Sequence, residues 1–292
     1  MNNKEELITT EGVFSQNEAK YADADSVNKM PPAMILCGGM GTRLRDVSEI
    51  IPKPMVPIGC QPIVWHIMKC YAAFGVNRFI LCLGYKKENF VDYFMNFQAR
   101  ATDVTIKLGK NGFVEYHNPY KEEDWEVTLA HTGLETMTGG RIARAIKYLR
   151  PEDNEFFLTY GDGVSDVNIR ELLAFHRKQN RALTLTAVHP EGRFGEMNLN
   201  GTRIDEFTEK RARSEGFING GFMVINREFV TKYLSIEQDD FLERQPFENA
   251  SRDGNLSAFL HEGFWQCMDT AREYKLLNDL WARRPAPWTK YW

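Results

Sequence analysis

The residues most able to do chemistry begin at Gly38-Gly39-Met40-Gly41-Thr42-Arg43. Glycines let backbone N–H groups approach an anion with no Cβ in the way. Thr42 adds a short donor, and Arg43 a fixed positive fork for phosphate oxygens. Shortly afterwards Lys53 stands between Pro52 and Pro54, where a stiff backbone aims its charge at a fixed spot. Thr138-Gly139-Gly140-Arg141 is a second glycine turn at an expected helix start, again suited to polar ligand atoms. Asp162 lies between Gly161 and Gly163, Asp269 follows an apolar stretch, and Lys210 follows Glu209. Two carboxylates among several cations fit Mg²⁺-assisted work on phosphates, which needs positioning and charge neutralisation more than a covalent nucleophile. The glycine spacing is neither the dinucleotide fingerprint nor a Walker A loop. No Ser/His/Asp order, clustered His or Cys, or zinc spacing is present. Each feature also has a purely structural reading. Glycines serve tight turns, Lys53 could be a solvated connector residue, Asp162 could form an Asx turn, and Asp269 or Thr270 could cap a helix.

These residues need a scaffold that presents them at one edge. Ala33–Leu36 is all apolar and stops at glycine, as a buried strand does. Pro52, Pro54 and Pro57 predict an extended connector. A helix is expected from Gln61-Pro62-Ile63 to Gly75, with Trp65, Met68, Tyr71 and Ala72 at helical spacing. Strands follow at Arg78–Leu83, Glu126–Ala130, Glu155–Tyr160, Ala182–Val188 and Leu256–Leu260, with helices at Thr138–Leu149, Ile169–Asn180 and Ala271–Trp281. Val104–Leu108 and Val114–His117 read as short strands at an edge. Asn200-Gly201 marks a hairpin between Met197–Leu199 and Thr202–Thr208. Phe217–Ile225 reads as a strand broken by Asn219-Gly220-Gly221, where a ligand or another backbone comes close. The alternation predicts an α/β fold: a mixed, largely parallel sheet with helices on both faces, plus a smaller β-rich region.

Length and composition narrow the classes. The 292 residues suit one large α/β domain or a domain with an appendage. A net charge of −4 argues against a general nucleic-acid binder. No apolar run approaches a membrane span of roughly 20 residues, and no secretory segment opens the chain. Five cysteines without a C-x-x-C pair read as reduced thiols and a cytoplasmic setting. Residues 1–32 are polar and read as a mobile arm, or as a short helix docking on a neighbouring subunit. The tail Pro285–Trp292 holds three aromatics, which suggests packing against a core or a second subunit.

Leu36–Leu44 with Pro52-Lys53-Pro54 resembles the opening of the sugar-1-phosphate nucleotidyltransferases. Within that family the similarity is to members that transfer a cytidylyl group to α-D-glucose 1-phosphate. It extends through Pro62–Met68, Thr138–Arg141, Thr159–Gly163, Ile218–Phe222, Gly263–Gln266 and Ala286–Trp288, spanning Ala33 to Trp292. The resemblance implies a three-layer α/β/α nucleotide-binding core. Residues 33–190 would mainly bind nucleotide, and 191–292 sugar phosphate and neighbouring subunits. It implies CTP and a sugar 1-phosphate as substrates, CDP-glucose and pyrophosphate as products, Mg²⁺ as cofactor and a homo-oligomer as the assembly. By resemblance Leu36, Gly38, Gly39, Gly41, Thr42 and Arg43 hold the nucleotide, together with Thr138, Gly139, Gly140 and Arg141. Lys53 steadies the α-phosphate, with Arg43 and Asp162 also at the reacting centre. Asp162 and Asp269 hold Mg²⁺. Glu209, Lys210 and Asn219 take the sugar phosphate. Cys37, Cys60, His131, Cys267 and Arg211 depart from the family pattern and leave the identity of the sugar open. A relative using another sugar or nucleotide, and a non-catalytic nucleotide-sugar-binding subunit, are the alternatives.

Overall fold

The computed structural model describes residues 29–39, 51–118, 124–190, 196–200, 203–208, 216–237 and 239–292. Its centre is an eight-stranded mixed sheet. We number its strands β1 (Ala33–Cys37), β2 (Arg78–Leu83), β3 (Glu126–His131), β4 (Glu155–Tyr160), β5 (Leu183–Val188), β6 (Ile218–Asn219), β7 (Met223–Asn226) and β8 (Leu256–His261). β1 lies between β2 and β4, parallel to both, and β3 extends the parallel set beyond β2. β7 runs antiparallel to β4 and β5, and β8 pairs parallel with β5.

β6 and β7 share one line beside β5, split at Gly220-Gly221. Gly221 has φ +73°, and Gly220 donates to the Thr186 carbonyl at 2.9 Å. The glycine break is therefore a bulge that keeps the line paired on both sides of it.

Side-chain alternation in the strands builds two cores. Ile35, Leu81, Phe157 and Val224 face the helices Ile63–Ala72 and Ile169–Gln179. Met34, Ile80, Leu158 and Met223 face the helices Thr138–Ala145 and Arg227–Tyr233. Helix, sheet and helix thus form three layers, as expected. Trp288 is buried and packs with Phe264 and Trp281 at centroid separations of 5.8 and 6.1 Å. Trp288 of the tail is thereby used within the chain's own core.

Two expectations change. Among the described residues Asp103–Lys107 and Phe113–His117 pair only with each other as an antiparallel hairpin, so they are not an edge of the central sheet. The proline connector is extended at Pro52, with ψ 145°, but then makes a 3₁₀ turn over Lys53–Met55. Proline's fixed φ suits the first turn of such a helix, so Pro54 permits the turn that spacing alone argued against.

The parallel strands all point one way. Their exits at Gly38, Gly84, Thr132 and Gly161 therefore gather at one edge, where ligands of open α/β sheets bind.

Candidate active site

A cleft of about 360 Å³ opens at that edge. Gly38 and Gly39 form one wall at the exit of β1. The Gly38 carbonyl accepts from Arg141 Nη2 at 3.0 Å, and a Cβ on Gly38 would stand 2.0 Å from the Arg141 guanidinium carbon. Gly39 is exposed, and among the described residues a Cβ there would meet nothing within 4 Å. Cys37 is buried beneath this turn, and burial, with Cys82 nearby, pushes its thiol well above the ordinary range. It is a packed, protonated thiol, which accounts physically for a sulfur so close to the turn.

Opposite lies a compact charge cluster. Lys53 Nζ donates to Asp162 Oδ2 at 2.6 Å and to Asp269 Oδ1 at 2.5 Å. Burial lowers the Lys53 pKa, but the two carboxylates outweigh it and hold the ammonium charged. Asp162 follows β4 directly, and Asp269 follows a short strand, Trp265–Cys267, which pairs with Gly163–Ser165. The two residues are 107 positions apart in sequence, and this pairing brings them together. Thr270, not Asp269, caps the helix Ala271–Arg283: its side chain and Glu273 form a reciprocal capping box. Asp269 is thereby available to the cleft. Cys267 Sγ lies 3.8 Å from Asp269 Oδ2, and burial with Glu273 and Asp269 nearby pushes its thiol up to about 12.

The second glycine turn is arranged differently. Asp239 Oδ1 accepts from Met137 N at 2.8 Å, and the Asp240 carbonyl from Gly139 N at 3.0 Å. A Cβ on Gly139 would come within 2.7 Å of that carbonyl, and one on Gly140 within 2.0 Å of Asp239 Oδ1. The glycines of this turn thus face residues 239 and 240. Thr138 lines the cleft, and its hydroxyl donates to Glu243 Oε2 at 2.8 Å while accepting from Leu242 N at 2.8 Å.

Arg141 turns inward. Its guanidinium donates to Gly38, Leu83, Gly133 and Leu134 carbonyls and to Thr132 Oγ1, at 2.7 to 3.2 Å. It ties together the exits of β1, β2 and β3. Tyr160 carries a hydrogen-bond chain across the floor: it donates to Glu243 Oε1 at 2.6 Å and accepts from Asn219 Nδ2 at 3.0 Å. Burial, reinforced by Glu243, drives its pKa up and keeps the phenol protonated.

Leu36, Gly38, Gly39, Lys53, Thr138, Arg141, Asp162 and Asp269 therefore border one cleft, with Asn219 linked to it through Tyr160. Gly139 and Gly140 support its wall from behind. Gly41, Thr42, Arg43, Glu209 and Lys210 lie outside the described residues. Tyr160, Phe241 and Glu243 were not singled out as site residues from the sequence. Tyr160 carried a hint in its place before Gly161-Asp162, while Phe241 and Glu243 lie in a polar stretch without periodicity.

A family model described as "Nucleotidyl transferase" matches residues 32–270. The chain belongs to the nucleotidyl transferase family. A glucose-1-phosphate cytidylyltransferase of Salmonella typhimurium is 42% identical over 260 residues, covering 89% of this chain and 99% of that one. A probable glucose-1-phosphate cytidylyltransferase of Bacillus subtilis is 38% identical over the same shares. Among solved structures, HddC of Yersinia pseudotuberculosis superposes with a TM-score of 0.61 at 23% identity, covering 86% of this chain and 99% of that chain. This nucleotidyltransferase thus shares its α/β fold with that protein. Among the described residues, no helix is long and apolar enough to cross a membrane.

Proposed function

We propose that this nucleotidyltransferase transfers a cytidylyl group from CTP to α-D-glucose 1-phosphate, releasing pyrophosphate. The observation that carries this reading is the Lys53–Asp162–Asp269 cluster at the mouth of a glycine-walled cleft. The choice of CTP and glucose 1-phosphate rests on the 42% and 38% identical relatives.

In this reading an oxygen of the sugar phosphate attacks the α-phosphorus of CTP in line. One P–O bond forms as the bond to the β-phosphate oxygen breaks, and pyrophosphate carries away the electron pair. A phosphate monoester is already an anionic nucleophile, so no general base is needed. The barrier lies in bringing two anions together and holding them aligned. Lys53 exchanges carboxylate oxygens for those of the α-phosphate and offsets charge there. Gly38 and Gly39 present backbone groups to the triphosphate with Gly41, Thr42 and Arg43, and Glu209, Lys210 and Asn219 hold the sugar phosphate. Arg141 acts by fixing Gly38.

Asp162 and Asp269 suit a hard divalent cation such as Mg²⁺. They are two partly exposed carboxylates, and they already embrace one cation, the Lys53 ammonium. Bound there, Mg²⁺ would supply further neutralisation of phosphate charge. The five cysteines are free thiols, in keeping with a cytoplasmic setting. The hairpin exposes Ile106, Phe113 and Val114, which supports association between copies of the chain.

Pyrophosphate release, measured with each of four nucleoside triphosphates against several sugar 1-phosphates in Mg²⁺, tests the reading. CTP with glucose 1-phosphate is expected to give the highest kcat/KM. A clear preference for another pair would replace the substrates, and no turnover with any pair would reject catalysis.

A further inference from the structure

We propose that the ring of Phe241 is the platform on which the nucleobase stacks in this cleft; the inference rests on the nucleotide reading above. Four residues around Phe241 are pinned. Asp239 and Asp240 accept from the amides of Met137 and Gly139, at 2.8 and 3.0 Å. Leu242 is fully buried in the core on this face and donates its amide to Thr138 Oγ1 at 2.8 Å. Glu243 accepts from both Thr138 and Tyr160. The short segment is thus clamped to the second glycine turn on either side of Phe241, yet Phe241 stays 38% exposed and lines the cleft.

A large apolar ring held rigidly and left partly wet in a cleft costs free energy unless something covers it. The Arg244 guanidinium lies over this ring, 4.6 Å from its centroid. The same residue's amide donates to the Phe241 carbonyl at 3.1 Å. A cation on an aromatic face is favourable and restrains the ring's orientation. Among the charged groups of the cleft, Lys53, Asp162 and Asp269 form one cluster, whereas Phe241 hangs from the Thr138 wall beside Asp239, Glu243 and Arg244. A nucleotide with its phosphates at Lys53 and its base toward Thr138 would bring a flat, apolar base face to that ring. Stacking of this kind tolerates any base, because every base has a π face. The platform therefore contributes affinity, and choice among bases falls to other groups.

Titration calorimetry of the full chain, with CTP and separately with inorganic tripolyphosphate, tests the platform. Phe241→Ala should weaken CTP binding about tenfold, within the range expected for one lost base–aromatic stack. Tripolyphosphate binding, which lacks a base, should stay within twofold of wild type. Phe241→Tyr should restore CTP affinity. Phe241→Leu keeps apolar bulk without a π face and should resemble the alanine variant, and it serves as the test should Phe241→Ala fail to fold. Equal CTP affinity in wild type and Phe241→Leu overturns the platform, as does an equal loss of CTP and tripolyphosphate. Failure of wild type to bind any of the four nucleoside triphosphates would instead remove the nucleotide reading on which the proposal stands.

Discussion

The two glycine turns look alike in sequence and are used differently. The first, at Gly38-Gly39, ends β1 and leaves Gly39 exposed at the cleft, with nothing among the described residues within 4 Å of a notional Cβ. The second, at Gly139-Gly140, opens the helix Thr138–Ala145, but its glycines are covered by Asp239 and Asp240. In the first turn the missing side chain leaves room for a ligand at Gly39 and for the Arg141 guanidinium at Gly38. In the other it leaves room for another piece of the same chain. Arg141 couples them, because it leaves the second turn and holds the carbonyl of the first. A glycine turn at a strand or helix end marks a close approach, and the tertiary partner decides what approaches.

The largest expected effect is at the charge cluster facing the first turn. Lys53→Ala should lower kcat by about two orders of magnitude or more, in the range seen when one preorganised charge partner is lost. Near-normal turnover in that variant would remove Lys53 from the chemistry. At the second turn, Gly139→Ala should cost about 1–3 kcal/mol of stability, because the new methyl group meets a backbone carbonyl that cannot swing away. Thermal unfolding would register this as a drop of several degrees.

The matching variant of the first turn should behave oppositely. Gly39→Ala should leave the melting temperature within about 1 °C, since no atom of the described residues is displaced. It should raise the nucleotide KM roughly tenfold by holding the triphosphate away from the backbone, the cost of one lost hydrogen bond to a charged group. Equal melting temperatures for Gly139→Ala and Gly39→Ala would erase the difference between the two turns. The smallest effect belongs to Asp239→Ala, which removes a carboxylate from the Met137 amide at the helix start. A loss of about 1 kcal/mol, read by chemical denaturation, is expected, as for removal of a helix cap.

Much of the framework was legible in the chain. β1, β2 and β4 were visible because strands buried on both faces are continuous apolar runs that end at glycine. Asp162 and Asp269 stood out because each follows an apolar run, and Lys53 because it stands between two prolines. The segment 239–243 was not legible. Its residues are polar, short of periodicity and far in sequence from the helix start they seal, so no local pattern distinguishes it from solvated loop. The proline connector was misjudged as wholly extended, because proline spacing does not distinguish an extended stretch from one 3₁₀ turn.

By itself the sequence determined the layers of this protein, the edge where its strands end and the charged groups that edge carries, because hydrophobic period and glycine position are local properties. The tertiary structure alone decided three further things. It brought Asp162 and Asp269 to a shared lysine through a short strand pair. It spent the Arg141 guanidinium on backbone carbonyls and the Thr138–Gly140 turn on a neighbouring segment. It presented Phe241 to the cleft. Each depends on residues far apart in the chain meeting at hydrogen-bond distance, and only the packed sheet and its helices set those distances.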